Sequence, residues 1–258
     1  MDKYLFWGEK LKFSFCEGKY SEDKIICEPV NSITSLWMCF LSIICLFSRN
    51  YITPDIQLLY ILQFICGIGS ALFHASLHKG WQCVDEISMI LLVVIGYKFL
   101  NDQILNNYIQ NVTTSLMINV CYTTLLMCYG IYTIIICSID PDHNKFRDLF
   151  TAIFMILIFQ IIGITYSLNN HLLKTHVKNM FLVTVIASLC WVFDEKICNY
   201  YTYYIYLHSF WHILIGLSTV YLIEFLFMIN LLNTELESYQ SQYLFGFIPL
   251  ICKRQNID

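Results

Sequence analysis

Long runs of apolar residues, separated only by short polar connections, constrain this chain more than any other feature. A helix that crosses a bilayer needs roughly 20 mostly apolar residues. Seven stretches of the 258-residue chain have that character: 32–47, 56–77, 88–100, 112–139, 146–168, 177–198 and 205–232. The third is short and reaches a full span only if Gln82–Glu86 form its first turns. Charged residues make up 13% of the chain, where a soluble domain carries about 25%, so lipid is the expected solvent for most of its surface. The sequence therefore predicts an all-α integral membrane protein of seven transmembrane helices at 32–232. A polar amino-terminal segment (1–31) precedes them and a carboxy-terminal tail (233–258) follows.

The same composition excludes other classes. A net charge of -4 offers nothing to nucleic acid, and no obligate protein partner is evident. The first thirty residues are polar and mixed in charge, without the basic and apolar regions of a signal peptide. Most of the 12 cysteines fall inside apolar runs, where they act as small hydrophobes. Loop charge leaves the orientation open. With the amino terminus outside, Lys and Arg count six inside and nine outside, but six against four without the amino-terminal tail.

Relative sidedness is firmer. In a seven-helix serpentine, the ends of even helices and the starts of odd ones share a membrane face. Ser70 and His74 end helix 2, Asp85 opens helix 3, Asp194 ends helix 6, and His208 and His212 open helix 7. Glu17 and Glu28 lie in the tail that emerges on that face. Ionisable groups inside a membrane are costly and mark function by default. His208 and His212, four apart, share one helical face. With His74 they make three imidazoles, the set that leaves zinc an open position for catalysis. Haem is the weaker reading, because a bis-histidine haem draws its ligands from two helices. The pair is not H-E-x-x-H, since Ser209 follows the first histidine, so a general base comes from elsewhere; Asp85 is the candidate. Ser70, one turn before His74, is placed to stabilise an oxyanion, although its small-residue surroundings also suit close helix packing. Glu86 reads as a helix N-cap, and His78, His143, His171 and His176 as residues of connections. Asp194 reads as an anchor for the end of helix 6, and Glu224 finds no role.

Gly67-Ile68-Gly69-Ser70-Ala71-Leu72-Phe73-His74, Asp85-Glu86-Ile87-Ser88-Met89 and His208-Ser209-Phe210-Trp211-His212 together resemble the motifs of the alkaline ceramidase family. These are seven-helix membrane hydrolases related to the adiponectin and progestin receptors. The amino-terminal Trp7-Gly8, Cys16-Glu17, Glu28 and Asn31–Thr34 and the late Leu244-Phe245-Gly246 and Pro249 are similar to the same pattern. The resemblance implies hydrolysis of ceramide to a sphingoid base and a fatty acid, in the membrane of the endoplasmic reticulum or Golgi, with a lumenal amino terminus. It implies zinc on His74, His208 and His212, proton transfer by Asp85 and oxyanion stabilisation by Ser70. The alternative is a receptor of the related type with a structural zinc site.

The family pattern also has cysteines at Cys16 and Cys198, which implies a disulfide between them. It has a calcium segment too, and this chain departs from it. Glu17 and Glu28 match, but Ser14 replaces a charged ligand and Lys19 replaces an amide oxygen. An ammonium has no lone pair to give, and calcium seeks six to eight oxygens. Lys19 is expected to pair with Glu17 or Glu28 in place of the ion, with a shift of register onto Glu22 or Asp23 as the alternative.

Overall fold

The structure, a computed structural model, describes residues 15–17, 25–48, 52–108, 112–139, 144–198, 200, 206–231 and 239–253. Seven helices follow one another: α1 Pro29–Phe47, α2 Pro54–Ser76, α3 Lys79–Tyr108, α4 Val112–Ile139, α5 Asn144–Leu168, α6 His171–Ile197 and α7 Leu207–Leu231. Six of them are long and apolar enough to cross a membrane. The exception is α3, whose thirty residues include Lys79, Asp85, Glu86, Lys98 and Asp102. Leu116, Met117, Leu125, Ile156 and Phe159 on α4 and α5 are exposed, a burden in water and ordinary against lipid. The chain is a multi-pass membrane protein.

The helices that carry the candidate site form the centre of the bundle. α7 is 72% buried over its apolar window and α2 61%, against 22% for α4 and 28% for α6. α1 packs on α2 and α7, α2 on α3, and α6 on α7. Small residues set the α2 approaches. A Cβ on Gly67 would lie 2.6 Å from Cys39 Sγ of α1, and one on Gly69 would lie 2.8 Å from the Asp85 backbone nitrogen of α3.

Several boundaries differ from the sequence reading. α3 begins at Lys79, so Gln82–Glu86 do form its early turns. Glu86 is therefore no N-cap. It is buried, accepting from Gln82 Nε2 at 2.7 Å and from Cys137 Sγ of α4 at 2.6 Å. α6 begins at His171, where Asn170 Oδ1 caps the Leu173 N–H at 3.2 Å. The polar residues of its first turns look like a loop in the sequence, yet His176 lies buried within the helix, its Nε2 2.8 Å from the carbonyl oxygen of Tyr221. His143 lies outside the described residues.

The carboxy-terminal segment adds an antiparallel hairpin, β1 Tyr239–Leu244 with β2 Ile248–Lys253, in register from Tyr239↔Lys253 to Leu244↔Ile248. Phe245 and Gly246 both have positive φ (53° and 82°), and Phe247 N–H bonds Leu244 O at 3.3 Å. The three residues between the paired strands make a tight turn, in which Gly246 adopts its positive φ at no steric cost. The hairpin resolves Glu224: its carboxylate, fully buried in α7, accepts from the Ile251 N–H at 2.9 Å and from the Tyr60 hydroxyl.

Candidate functional site

The site is assembled by the way α2 ends. Leu77 takes a left-handed conformation (φ 54°) and its N–H returns to Phe73 O, which stops the helix just after His74. The last carbonyls of a helix need donors. Two come from the segment before α1: Cys27 N–H bonds Ala75 O, and Glu28 N–H bonds His74 O, both at 3.0 Å. This docking sets the Glu28 carboxylate 2.5 Å from Nδ1 of His74. Glu28 also accepts from Phe15 N–H at 2.9 Å and from Asn31 Nδ2 at 3.2 Å. Pro29 opens α1 without an N–H, as suits a first helical position. The next two N–H groups, of Val30 and Asn31, go to Glu17 at 2.7 and 2.8 Å.

His74, His208 and His212 are all buried, and each offers a ligand atom within 4.8 Å of the others'. Ring centroids lie 4.8 Å apart for His74 and His212, 4.6 Å for His208 and His212, and 5.1 Å for His74 and His208. The outward nitrogens of His74 and His212 are held by partners. A carboxylate facing Nδ1 of His74 places the proton there and leaves Nε2 its lone pair. Nδ1 of His212 lies 3.1 Å from Thr34 Oγ1 and 3.3 Å from Ser35 Oγ. Each hydroxyl already points its proton at an α1 carbonyl, Thr34 at Val30 O and Ser35 at Asn31 O, both at 2.8 Å. The hydroxyls are left to accept, so Nδ1 donates and Nε2 again faces inward. Three buried imidazoles with two lone pairs oriented in this way fit a divalent metal with nitrogen preference, zinc foremost.

The remaining candidates join them. Asp194 on α6 accepts from the backbone N–H groups of His208 and Cys16, each at 3.3 Å; its side chain thus anchors the start of α7 and the tail, where the sequence reading made it an anchor for the end of helix 6. A disulfide links Cys16 to Cys198 with their Cα atoms 5.3 Å apart, and the adjacent Phe15 ring stacks on His208 at 3.6 Å. Ser70 Oγ lies 3.1 Å from Ser35 Oγ. Asp85 accepts from Cys66 Sγ at 3.3 Å. Ser70, His74, Asp85, His208 and His212 all line one cavity, whose walls also include apolar side chains such as Phe150, Phe154 and Leu222. A cavity with ionisable groups among aromatic and aliphatic walls suits an amphipathic lipid.

Sequence reasoning missed three participants. Glu28 was assigned to calcium, yet it faces His74. Thr34 and Ser35 carried no signal except membership of the Asn31–Thr34 stretch and its neighbour. All four carboxylate oxygens of Glu17 and Glu28 accept protein hydrogen bonds. Ser14, Lys19, Glu22 and Asp23, on which the pairing and its alternative rest, lie outside the described residues.

The family model described as Ceramidase matches residues 10–252. An alkaline ceramidase of Drosophila melanogaster is 24% identical over 96% of this chain and 88% of its own length. Alkaline ceramidase 1 of Homo sapiens is 20% identical, covering 84% of this chain and 82% of its own, and an Arabidopsis thaliana alkaline ceramidase is 24% identical over 83% and 82%. A match over almost the entire length, across the very helices that bring the histidines, Asp85 and Ser70 together, places this chain in the ceramidase family.

Proposed function

We propose that this protein hydrolyses the amide bond of ceramide to a sphingoid base and a free fatty acid, with zinc held by His74, His208 and His212. The observation that carries the reading is the three-imidazole cluster, buried with Asp85 and Ser70 around a cavity with largely apolar walls. The names of the relatives support the substrate, and nothing in the site favours the receptor alternative. Zinc, when bound, would supply Lewis acidity and a water acidified towards neutral pH.

The protein's own groups do the rest. Glu28 and the Thr34–Ser35 hydroxyls keep His74 and His212 in the tautomers that present Nε2. Asp85 takes a proton from the attacking water and passes it to the departing amine. Ser70 donates its hydroxyl to the oxygen on which charge builds as the carbonyl is attacked. Phe15, tied by its N–H to Glu28 and stacked on His208, shields the imidazoles from bulk water. The apolar cavity holds the hydrocarbon chains while the amide stays near the membrane edge.

In this reading α3 is the seventh crossing, the membrane is that of the endoplasmic reticulum or Golgi, and the amino terminus faces the lumen. The Cys16–Cys198 bridge supports that orientation, because disulfides persist in oxidising compartments. Turnover proceeds without calcium, since Glu17 and Glu28 are already committed to protein donors. The test is fatty-acid release from a ceramide panel by the purified full chain, with and without a zinc chelator. No release from any ceramide, or full release after the metal has been stripped, refutes the reading.

A further inference from the structure

Gln63 lies in the middle of α2 and is 1% exposed. Its Nε2 donates to the carbonyl oxygen of Gly216 in α7 at 2.9 Å. That bond fixes which end of the amide is which, because only the nitrogen can donate. Oε1 is thereby turned elsewhere, and it has no hydrogen-bond partner among the described residues. A buried acceptor left unmatched is costly.

Gln63 also lines the cavity of the candidate site. With Cys66, Ser70 and His74 it forms one stripe along α2, at spacings of three, four and four residues. The cavity's walls include apolar side chains from three other helices: Met89 and Leu92 of α3, Phe150 of α5 and Leu222 of α7. Thr219 lines the cavity too, but its hydroxyl already donates to Ile215 O at 2.9 Å. An acceptor in such a place suits a ligand that is mostly hydrocarbon and carries a donor at one defined depth.

That depth can be read from α7. Gly216, which Gln63 grips, is one turn beyond His212, or about 6 Å along the helix axis. Four or five bonds of an extended chain cover that distance. In a ceramide, four bonds lead from the amide carbonyl carbon to the oxygen on carbon 1 or on carbon 3 of the base, and five to an oxygen on carbon 4. The carbon-1 hydroxyl is the polar end of the base and belongs at the membrane edge, whereas Gln63 lies in the middle of α2, on the side towards which the base's hydrocarbon runs; carbons 3 and 4 lead that way. A hydroxyl on the first carbon of the acyl chain is only two bonds away and falls short.

We infer that Gln63 is a specificity-determining residue, its Oε1 accepting a hydrogen bond from a hydroxyl on carbon 3 or 4 of the substrate's amino-alcohol chain. The inference rests on the ceramide-hydrolysis reading and adds to it a preference for hydroxylated bases.

The experiment compares amides of one fatty acid with three bases: hydroxylated at carbon 3, at carbons 3 and 4, or at neither. A fourth amide, of the unhydroxylated base with a 2-hydroxy fatty acid, tests the acyl side. The wild-type chain is expected to favour the base-hydroxylated amides about 10-fold in kcat/KM, the order supplied by one hydrogen bond to a buried group. Gln63→Met, which keeps the volume and loses the amide, should treat all four about equally. The ratio is taken within a single preparation, so it is independent of how much of the variant has folded; Gln63→Asn, too short to span from Gly216 to the substrate, should lose it as well. Equal rates in the wild type, which would mean that water satisfies Oε1, overturn the inference and leave the hydrolase reading standing. So does a preference that survives in both variants, or one that follows the acyl hydroxyl. No turnover of any amide overturns both.

Discussion

Gly69→Ala is the substitution that most directly tests whether the α2–α3 contact sets the catalytic geometry. The added Cβ would sit 2.8 Å from the Asp85 nitrogen, 2.9 Å from Val84 Cγ1 and 3.2 Å from Asp85 Cα. Ordinary contact begins at 3.4 Å, so the nearest atom must retreat by at least 0.6 Å. Two of the three obstructing atoms are backbone and cannot rotate away, so α3 itself has to move. Overpacking of this kind costs roughly 1–3 kcal/mol. The displaced residue is Asp85, while His74, His208 and His212 sit on α2 and α7 and keep their spacing. Misplacing a reacting group by about 1 Å can cost on the order of 10² in rate. Gly69→Ala is therefore expected to retain its metal, to unfold at a lower temperature and to lose about 10²-fold in kcat for ceramide. Gly163→Ala is the control: in α5 its Cβ meets nothing within 4 Å, and relief of the glycine entropy should leave stability equal or higher by about 0.5–1 kcal/mol. Metal content, thermal unfolding and ceramide turnover on the same preparations decide the matter. Wild-type kcat in Gly69→Ala would refute the idea that this close approach positions Asp85.

His212→Ala should lose both zinc, measured by elemental analysis, and turnover; a full equivalent of retained zinc would show that the ligand set is wrong. Asp85→Asn should hold its metal yet be nearly inactive, whereas Ser70→Ala should lose roughly 10²–10³ in kcat, the effect of one oxyanion donor; near-normal rates in Asp85→Asn would remove it from the mechanism. Glu224→Ala strips the Ile251 N–H and the Tyr60 hydroxyl of their acceptor and should destabilise by about 1–3 kcal/mol, seen as easier proteolysis of the 239–253 hairpin; unchanged proteolysis would mean that the hairpin is held by packing alone. Adding calcium should leave turnover unchanged, and a rise abolished by Glu17→Ala would contradict the assignment of Glu17 to the α1 amino terminus.

The chain's own text determined the class of molecule and which polar side chains share one end of the helices. Hydropathy is a local property, so the helices could be placed from sequence, α4 to the residue and the others within a few positions. The exceptions carry charged or polar residues in their end turns, where a membrane helix resembles a loop: α3 at both ends, running on to Tyr108 through Asn101, Asp102 and Gln103 where the sequence reading stopped at Leu100, and α6 in its first turns. The histidines were legible because His208 and His212 are one turn apart and helix order alone puts His74 on their face. Ser70 and Asp85 were accessible by the same reasoning. What the tertiary structure decided are contacts between distant residues whose pairing no periodicity encodes. Glu28 meets His74 across 46 positions because a helix end required donors. Thr34 meets Nδ1 of His212 across 178, and Glu224 holds Tyr60 across 164. Each is a buried polar group that must find a partner in a low-dielectric interior, and which partner it finds depends on how the helices pack.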